Sequence, residues 1–532
     1  MRVDARFVIG WTVSLLSVAS LAGAQVRDLR LIEAVKNRDR QVLQTLLKQK
    51  VDVNAPQPDG STALHWAAQT DDLETADLLI GAGAQVSTAN DYGITPLLLA
   101  SQNGSAAMVE RLLKAGAKPN GAFPTGETAL MIAARTGKPG AVQALLVQGA
   151  DVNAKEPSLG QTALMWAAAQ GHSEVVQLLV DGGADVRAKS NPGSFRQPSI
   201  VHTGGFTPLL FAARNGDIKS SRILLGAGAN VNDTATDGMS ALLMATIRGH
   251  LAYAEFLLDQ KANVDIAAAG LTPLHRAAGE WNSLVTQRIG IATEDNNEWG
   301  VLGGMRGQLK LDFIKLLLAR GANPNARTTK NPPRYGSGGG SRFGDSRTPL
   351  IGGTPLIFAA MAGDVPAVRL LLAAGADPKA TTDDQTTALI LAAGFGYNPD
   401  GGRVQEASAL ETVKLLVELG VDVNATNDMD STALHGAASR GANSIIQFLV
   451  DKGADLEAKN ARGWTAMTYA EGIFQNNTLV PYPSTEALLS KMGAKPSPPG
   501  LVRHKNDEAG VEILGRRGKA GVKPQPGATA KP

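Results

Sequence analysis

Histidine and acidic side chains are the groups in this sequence best suited to catalysis or metal binding. The chain has seven histidines and no cysteine, which excludes disulfides, thiolate metal sites and cysteine nucleophiles. A catalytic group needs one specific partner and a tuned pKa, so it is not expected in every copy of a repeat. Five of the histidines do recur at two fixed places of a repeated pattern, at positions 65, 275, 435, 172 and 250. The sequence therefore predicts no catalytic residue, no metal site and no cofactor.

One acidic segment, residues 293–300 (T-E-D-N-N-E-W-G), concentrates possible oxygen ligands. The side chains of Glu294, Asp295, Asn296, Asn297 and Glu298 could supply oxygens to a calcium ion, but their spacing is not that of an EF-hand loop. A solvated acidic loop is the alternative interpretation. Calorimetry with millimolar calcium distinguishes the two, because a solvated loop would release no heat.

These side chains have to be positioned by a unit of about 33 residues that recurs along the 532-residue chain. Aligning the copies on a Thr or Ser gives eleven positions, and most steps between them are 32 to 34 residues. A further copy without the Thr begins near Leu29, so twelve repeats are predicted. Each repeat is named below by its aligned residue: Thr62, Thr95, Thr128, Thr162, Thr207, Ser240, Thr272, Thr354, Thr387, Thr432 and Thr465.

The recurring residues predict two helices in each repeat. The aligned Thr is a typical helix N-cap, and Pro follows it in four repeats, at the first helical position. A pair of Ala allows neighbouring helices to approach, and a Gly such as Gly183 ends the second helix in the left-handed conformation. Lys50 and Lys261 occupy this Gly position in two repeats, where a left-handed side chain costs about 1 kcal/mol.

The pattern resembles the ankyrin repeat, through T-P-L-H-R-A at 272–277, T-A-L-H-W-A from Thr62 and T-A-L-H-G-A from Thr432. The resemblance covers about residues 28–494. It implies a mainly α fold, an ankyrin-repeat solenoid of stacked helix-turn-helix units joined by hairpin-like loops. It also implies that the motif histidines hold loops and neighbouring units in place.

The N-terminus, residues 1–24, is predicted to be a signal peptide. Arg2 and Arg6 precede an apolar run over 7–21, and Ala22-Gly23-Ala24 fits a cleavage site. The run is short for a membrane span of about 20 residues, and an uncleaved anchor is the alternative. We expect an exported protein, periplasmic in a bacterium and otherwise secreted, with no stable membrane insertion after cleavage.

Four insertions interrupt the predicted solenoid, which spans residues 25–494. Two lie between the helices of one repeat, near residues 281–308 and 395–408, and should flank the Thr354 repeat from one edge. Two lie in loops between repeats, near residues 188–204 and 328–353. Residues 495–532 form a Pro/Gly-rich tail with eight Lys and Arg against three acids, predicted to be disordered.

The resemblance implies that partners bind at hairpin tips and on the concave face. In each repeat these positions are the residue before the aligned Thr and the two residues after the Ala pair. Trp and Arg often dominate interface energies. From these positions and the insertions, the predicted partner-binding residues are Arg135, Phe206, Arg214, Arg248, Trp281, Trp299, Phe395, Tyr397, Arg440 and Trp464. A second row, four residues after the aligned Thr and including Trp66 and Trp166, is interpreted as an inter-repeat packing stripe.

The sequence thus predicts a non-enzymatic, monomeric scaffold that binds another protein through the concave face and the insertions. The net charge of +2 is small, and export argues against a nucleic-acid partner for the basic tail. One alternative is an enzyme or enzyme-accessory protein with a site in the insertions, built from Glu294, Asp295, Glu298 and His202. The other is an envelope spacer that binds glycan or membrane through the tail.

Overall fold

The computed structural model describes residues 28–191, 204–279, 307–330, 350–395, 404–475 and 478–498. It divides into two compact blocks, the first ending at Asp151 and the second beginning at Val152. In the first block, the helices form pairs in which the first helices pack in a row (α1, α3, α5, α7). Their bounds are α1 Arg30–Lys36, α2 Arg40–Lys48, α3 Ala63–Gln69, α4 Leu73–Gly81, α5 Pro96–Asn103, α6 Ala106–Lys114, α7 Ala129–Thr136 and α8 Pro139–Val147.

The second block repeats this arrangement, and its first helices again pack in sequence order. Its helices are α9 Ala163–Gln170, α10 Ser173–Asp181, α11 Pro208–Asn215, α12 Ile218–Gly226, α13 Ala241–Arg248, α14 Leu251–Asp259, α15 Pro273–Ala278, α16 Gly307–Ala319, α17 Pro355–Met361, α18 Val365–Ala373, α19 Ala388–Ala393, α20 Glu406–Glu418, α21 Ala433–Ser439, α22 Asn443–Asp451, α23 Ala466–Glu471 and α24 Pro483–Lys491. Strands β1 Ile473–Gln475 and β2 Thr478–Val480 pair antiparallel between α23 and α24. The predicted mainly α, helix-turn-helix architecture is confirmed.

The helices begin where the sequence predicts. The hydroxyl of Thr162 accepts a hydrogen bond from the backbone N–H of Met165 at 3.3 Å, which satisfies one free donor at the start of α9. Proline occupies the first helical position of α5, α11, α15 and α17. In the first repeat, Leu29 makes no side-chain cap bond to α1, in agreement with the absence of a Thr there.

The second helices also end as predicted. Gly183 follows α10 with a φ of 87°, in the left-handed region that favours glycine. Lys50 and Lys261 adopt the same conformation, with φ angles of 57° and 64°. These two repeats therefore carry a steric strain between Cβ and the backbone that the glycine-ended repeats lack.

Relieving that strain is expected to stabilise the Ser240 repeat. Lys261→Gly should raise the free energy of unfolding by about 0.5 kcal/mol, since the strain removed exceeds the entropy that glycine adds to the unfolded chain. Lys315→Gly, in the interior of α16, is the matched control and should cost about 1 kcal/mol. Chemical denaturation of both variants checks the opposite signs. A loss of stability for Lys261→Gly would contradict the assignment of strain.

The predicted packing stripe fills the space between first helices. Phe211, Met244 and Phe358 are buried, and Trp66 and Trp166 are half-buried. Each side chain leaves its helix four residues after the aligned Thr, so the stripe positions of successive repeats lie on one helix face.

Candidate functional site

An asparagine ladder joins successive repeats on the hairpin side. The side-chain oxygen of Asn153 accepts from the backbone N–H of Asp185 at 2.7 Å, and its amide donates to the carbonyl of Gly183 at 3.1 Å. The ladder continues past an insertion: Asn325 accepts from the N–H of Asp377 at 2.8 Å, although the two residues are 52 positions apart. The inserted residues therefore leave this inter-repeat bonding intact.

A buried histidine makes a second connection between repeats. The backbone N–H of Thr272 donates to Nδ1 of His275 at 3.2 Å, so the ring is neutral and carries its proton on Nε2. Nε2 donates to the carbonyl of Gly353 at 3.0 Å, 78 residues further on. Burial lowers the pKa of His275 to about 4. The same contacts are made by His65 to Ile94 and by His435 to Trp464. These histidines hold neighbouring repeats together, as the resemblance implies.

The two inter-helix insertions change the lengths of their flanking helices in the same way. The first helices α15 and α19 have six residues, whereas the second helices α16 and α20 have thirteen instead of the usual nine. Gln308 and Ser408, predicted to lie in the insertions, therefore belong to helices. Each residue added to an existing helix gains a backbone hydrogen bond. The chain that returns from each insertion therefore adds about one turn to the start of the second helix.

Both insertions return against one turn of the Thr354 repeat, residues 362–364. Nζ of Lys310, in the extra turn of α16, lies 2.6 Å from Oδ2 of Asp364, and the lysine side chain is only 6% exposed. Asp364 also caps α18 by accepting from the N–H of Ala367 at 3.1 Å. On the other side, a methyl group of Val404 lies directly over Gly363, in the space of a Cβ. The chain at the C-terminal end of each inter-helix insertion thus contacts this turn. That the insertions as a whole flank the Thr354 repeat stays a prediction.

The start of the second insertion occupies part of the packing stripe. The stripe position is Gly436 in the Thr432 repeat, whereas the other aligned repeats have a larger residue there. A Cβ on Gly436 would lie 2.6 Å from the backbone nitrogen of Phe395 and 3.2 Å from the carbonyl oxygen of Ile390. Arg440 donates from Nη2 to the carbonyl of Val404 at 2.9 Å. The predicted residues Phe395 and Arg440 therefore lie at the base of this insertion.

The other two insertions extend hairpins between repeats. Ser190 donates its N–H to the carbonyl of Phe206 at 3.0 Å and accepts from the N–H of Gly205 at 3.1 Å. Thr328 donates to the carbonyl of Gly353 at 3.0 Å and accepts from the N–H of Gly352 at 2.8 Å. Backbone hydrogen bonds thus join the two ends of each of these insertions on the hairpin side of the repeats. The inter-helix insertions begin and end instead at the turns between the two helices of a repeat.

The predicted binding residues Phe206 and Arg214 meet in one cluster of the Thr207 repeat. The ring centroids of Phe206 and Phe211 are 5.6 Å apart, and the guanidinium of Arg214 lies 5.8 Å from the Phe211 ring. Phe206 is half-buried and Arg214 is 8% exposed. Arg248 is half-buried at the end of α13, and Arg135 is exposed in the last turn of α7.

Trp464 differs from the prediction because its side chain is 2% exposed. Its ring packs edge-on against Tyr469 with centroids 5.6 Å apart, and its carbonyl accepts from His435. A buried ring cannot present its surface to a partner, so Trp464 is a packing residue. The predicted residues Trp281, Trp299 and Tyr397, together with His202 and the acidic segment 293–300, lie outside the described residues.

Two exposed apolar side chains at hairpin tips are absent from the predicted set. Tyr92 is 66% exposed and Leu159 is 50% exposed. Each precedes a glycine with a positive φ, Gly93 at 72° and Gly160 at 64°. An apolar residue directly before the turn glycine is the sequence signal that would have identified them.

The end of the last repeat requires a second correction. The N–H of Lys495 donates to a carboxylate oxygen of Glu457 at 2.9 Å, and the N–H of Ser497 donates to Glu471 at 2.9 Å. Residues 495–498 were predicted to begin the disordered tail, but these bonds tie them to the Thr465 repeat. The ordered part of the Thr465 repeat therefore extends through residue 498.

Across the described ranges, no group of three or more His, Asp and Glu side chains is placed to hold a metal ion. Among the helices of those same ranges, none combines the length and the apolar character that crossing a membrane requires.

Family models match most of the chain. A model described as ankyrin repeats (3 copies) matches residues 31–122, 118–190, 209–286 and 305–400. A model of ankyrin repeats (many copies) matches 414–470, and a single ankyrin repeat matches 384–428.

Individual proteins resemble shorter parts. The ankyrin repeat and KH domain-containing protein mask of Drosophila melanogaster is 37% identical over 75 residues, which are 13% of this chain and 2% of that protein. The human ASB11 ankyrin repeat domain is 27% identical, with a TM-score of 0.37, over 44% of this chain and 98% of that domain. The ankyrin repeat domain of Bcl-3, a member of the IkappaB family, is 31% identical, with a TM-score of 0.36, over 41% of this chain and 93% of that domain.

Proposed function

Because the chain belongs to the ankyrin-repeat family, whose repeats generally serve as protein-interaction modules, we propose that it is a non-enzymatic scaffold that captures another protein. The insertions and the concave-face positions make the contact. The protein acts as a monomer, without nucleic acid. It is exported after removal of residues 1–24 and works in the periplasm of a bacterium or, otherwise, outside the cell.

The convergence of Lys310 and Val404, where the chain returns from the two inter-helix insertions, on the turn 362–364 is the observation that supports this proposal most strongly. Inserted loops carried by a rigid scaffold are where binding residues concentrate. At this insertion an aspartate takes the ladder position: a carboxylate oxygen of Asp265 accepts from the backbone N–H of Asn323 at 3.1 Å. This bond and the contact from His275 to Gly353 join neighbouring repeats without residues 281–308. We therefore expect deletion of the inserted residues to affect binding more than folding.

The test is a deletion that restores the ordinary repeat. Removing residues 281–308 and changing Leu309 to Gly places Gly321 21 positions after Thr272, the spacing of Thr62 and Gly83. We expect this variant to keep its helical circular dichroism and to lose the partner that the unaltered chain crosslinks in its native compartment. Deleting 505–532, also 28 residues, is the matched control and should leave capture unchanged. Capture that survives the first deletion would contradict the proposal, and capture lost only in the control would favour the envelope-spacer alternative.

A further inference from the structure

Three hairpin tips of the first block lie in direct contact with one another. In each tip, the N–H of the first residue donates to the carbonyl of the fifth at 2.9 or 3.0 Å. The N–H of Asp91 donates to the carbonyl of Asp59 in the preceding tip at 2.9 Å. A Cβ on Gly93 would lie 2.5 Å from Cγ of Pro124 in the following tip. Together these residues form one continuous surface, the tip row, which consists of residues 57–61, 90–94 and 123–127.

The tip row contains three acidic residues and no Lys or Arg. The acids, one in each tip, are Asp59, Asp91 and Glu127. Asp91 is exposed and the other two are half-buried. Across the described ranges, no Lys or Arg forms an ion pair with any of the three. Oδ1 of Asp59 accepts from the N–H of Ser61 at 2.9 Å, and this bond lowers the pKa of Asp59. The row is therefore negatively charged at neutral pH.

An exposed aromatic ring lies in the middle tip. Tyr92 is 66% exposed, and Pro58 and Pro124 in the two outer tips are exposed as well. A Tyr ring offers a flat apolar surface that contacts proline rings, and its face attracts the ammonium group of a lysine. The tip row thus combines carboxylates with apolar contact area.

We infer that the tip row binds an extended segment of a partner protein that contains Lys and Pro. This inference rests on the proposed scaffold function and specifies the chemistry of one contact. The helices α3, α5 and α7 of these repeats pack in succession, and packed helices are about 8–10 Å apart. A polyproline II helix advances about 9 Å in each turn of three residues. Lys at every third position therefore places one ammonium group opposite one acid in each repeat.

A β-strand matches this spacing less well. Side chains on one face of a strand recur about every 7 Å, which is shorter than the distance between neighbouring repeats. The polyproline II conformation also costs less entropy on binding, because proline already restricts the free segment.

Fluorescence anisotropy of labelled peptides with the full chain tests the inference. The probe is a peptide of four consecutive Lys-Pro-Pro units. One comparison peptide has the same composition with its Lys residues adjacent, and another has Glu in place of Lys. We expect the spaced Lys peptide to bind best and to bind more weakly as salt is added, because salt screens exposed charges.

Two single variants separate the ring from the charge. Tyr92→Ala is expected to lower the affinity for the spaced Lys peptide about tenfold, and Asp91→Asn about threefold. Both side chains are exposed, so we expect the fold to be kept. Val147→Ala, at a 74% exposed position of α8, and Glu110→Gln, at an exposed position of α6, are the matched controls and should leave the affinity unchanged.

A charge exchange separates recognition from a loss of folding. The double variant Asp91→Lys, Glu127→Lys should reject the Lys peptide and bind the Glu peptide. Equal binding of these two peptides by the double variant would overturn the inference. Equal binding of the spaced and adjacent Lys peptides by the unaltered chain would also overturn it.

Deleting residues 499–532 tests whether the chain's own tail, which also contains Lys and Pro, is the occupant. Unchanged affinity for the spaced Lys peptide supports a partner segment. A clearly higher affinity would show that the tail competes for the tip row and would overturn the assignment to a partner. The scaffold proposal is tested separately, because partner capture that depends on residues 281–308 would stand even if no Lys peptide bound.

Discussion

Replacing His275 by Ala is expected to lower the local stability of the Thr272 repeat by about 4 kcal/mol. The ring is fully buried, accepts from the N–H of Thr272 and donates to Gly353. The substitution leaves a cavity and two buried backbone groups without their partner. Hydrogen exchange of the amides in α15 measures this change, which suits a long repeat chain that need not unfold in one step.

His250→Ala is the matched control for this substitution. His250 is half-buried, and its Nε2 contacts the carbonyl oxygen of Arg214 at 3.2 Å. We expect a loss of about 1 kcal/mol. Equal losses for the two variants would show that the connection across 78 residues contributes nothing beyond an ordinary surface contact.

His275 also makes the free energy of unfolding depend on pH. Burial lowers the pKa of His275 from its ordinary value of 6.5 to about 4, so the unfolded chain takes up a proton that the folded chain excludes. The stabilisation is complete above the unfolded pKa and is lost as the pH falls toward 4, by about 3 kcal/mol in total. The pKa values of His65 and His435 are lowered in the same direction, also by burial.

His275→Gln separates this effect from the other titrating groups. The variant should lose less stability than the unaltered chain between about pH 7 and about pH 4, because it lacks the proton uptake of one buried histidine. Denaturant titrations at several pH values give the difference directly. Parallel pH profiles for the two proteins would contradict a neutral, buried His275.

Replacing Gly436 by Ala is expected to destabilise the Thr432 repeat by about 3 kcal/mol. Helix propensity alone would favour Ala in the middle of α21 by about 1 kcal/mol. The clash is larger, because the new Cβ would lie 2.6 Å from the backbone nitrogen of Phe395, which cannot rotate away as a side chain can. Hydrogen exchange should show faster opening of α19 and α21.

Gly226→Ala is the control for the Gly436 substitution. Gly226 is the last residue of α12, and a Cβ there has no neighbouring atom within 4 Å. We expect the control to be neutral or to gain up to about 1 kcal/mol. A stabilising effect at Gly436 as well would show that the chain entering the second insertion does not occupy the stripe.

The repeated positions were predictable because each depends on local chemistry. The cap at Thr162, the left-handed Gly183 and even the strained Lys261 follow from backbone requirements that recur in every copy. The role of His275 was accessible only through the resemblance, since the sequence places its partner Gly353 beyond two insertions. The twelve-repeat count stays a prediction for the whole chain.

The details of the candidate site depend on contacts between distant residues. The Lys310–Asp364 pair joins residues of two different repeats, and neither residue is unusual in its own segment. The burial of Trp464 depends on Tyr469 and on the position of its hairpin. Gly436 was an available signal for the second insertion, because glycine in a stripe of large residues indicates that backbone fills the missing volume.

Position-specific photocrosslinking tests the central claim most directly, that a partner binds beside the turn 362–364. A photoreactive phenylalanine analogue is placed at Met361, the half-buried last residue of α17, in the full chain expressed in its native host. The same analogue at Gln177, exposed on α10, serves as the comparison. We predict one discrete protein adduct from position 361 and none from position 177. Adducts from position 177 alone, or from neither position, would contradict the account.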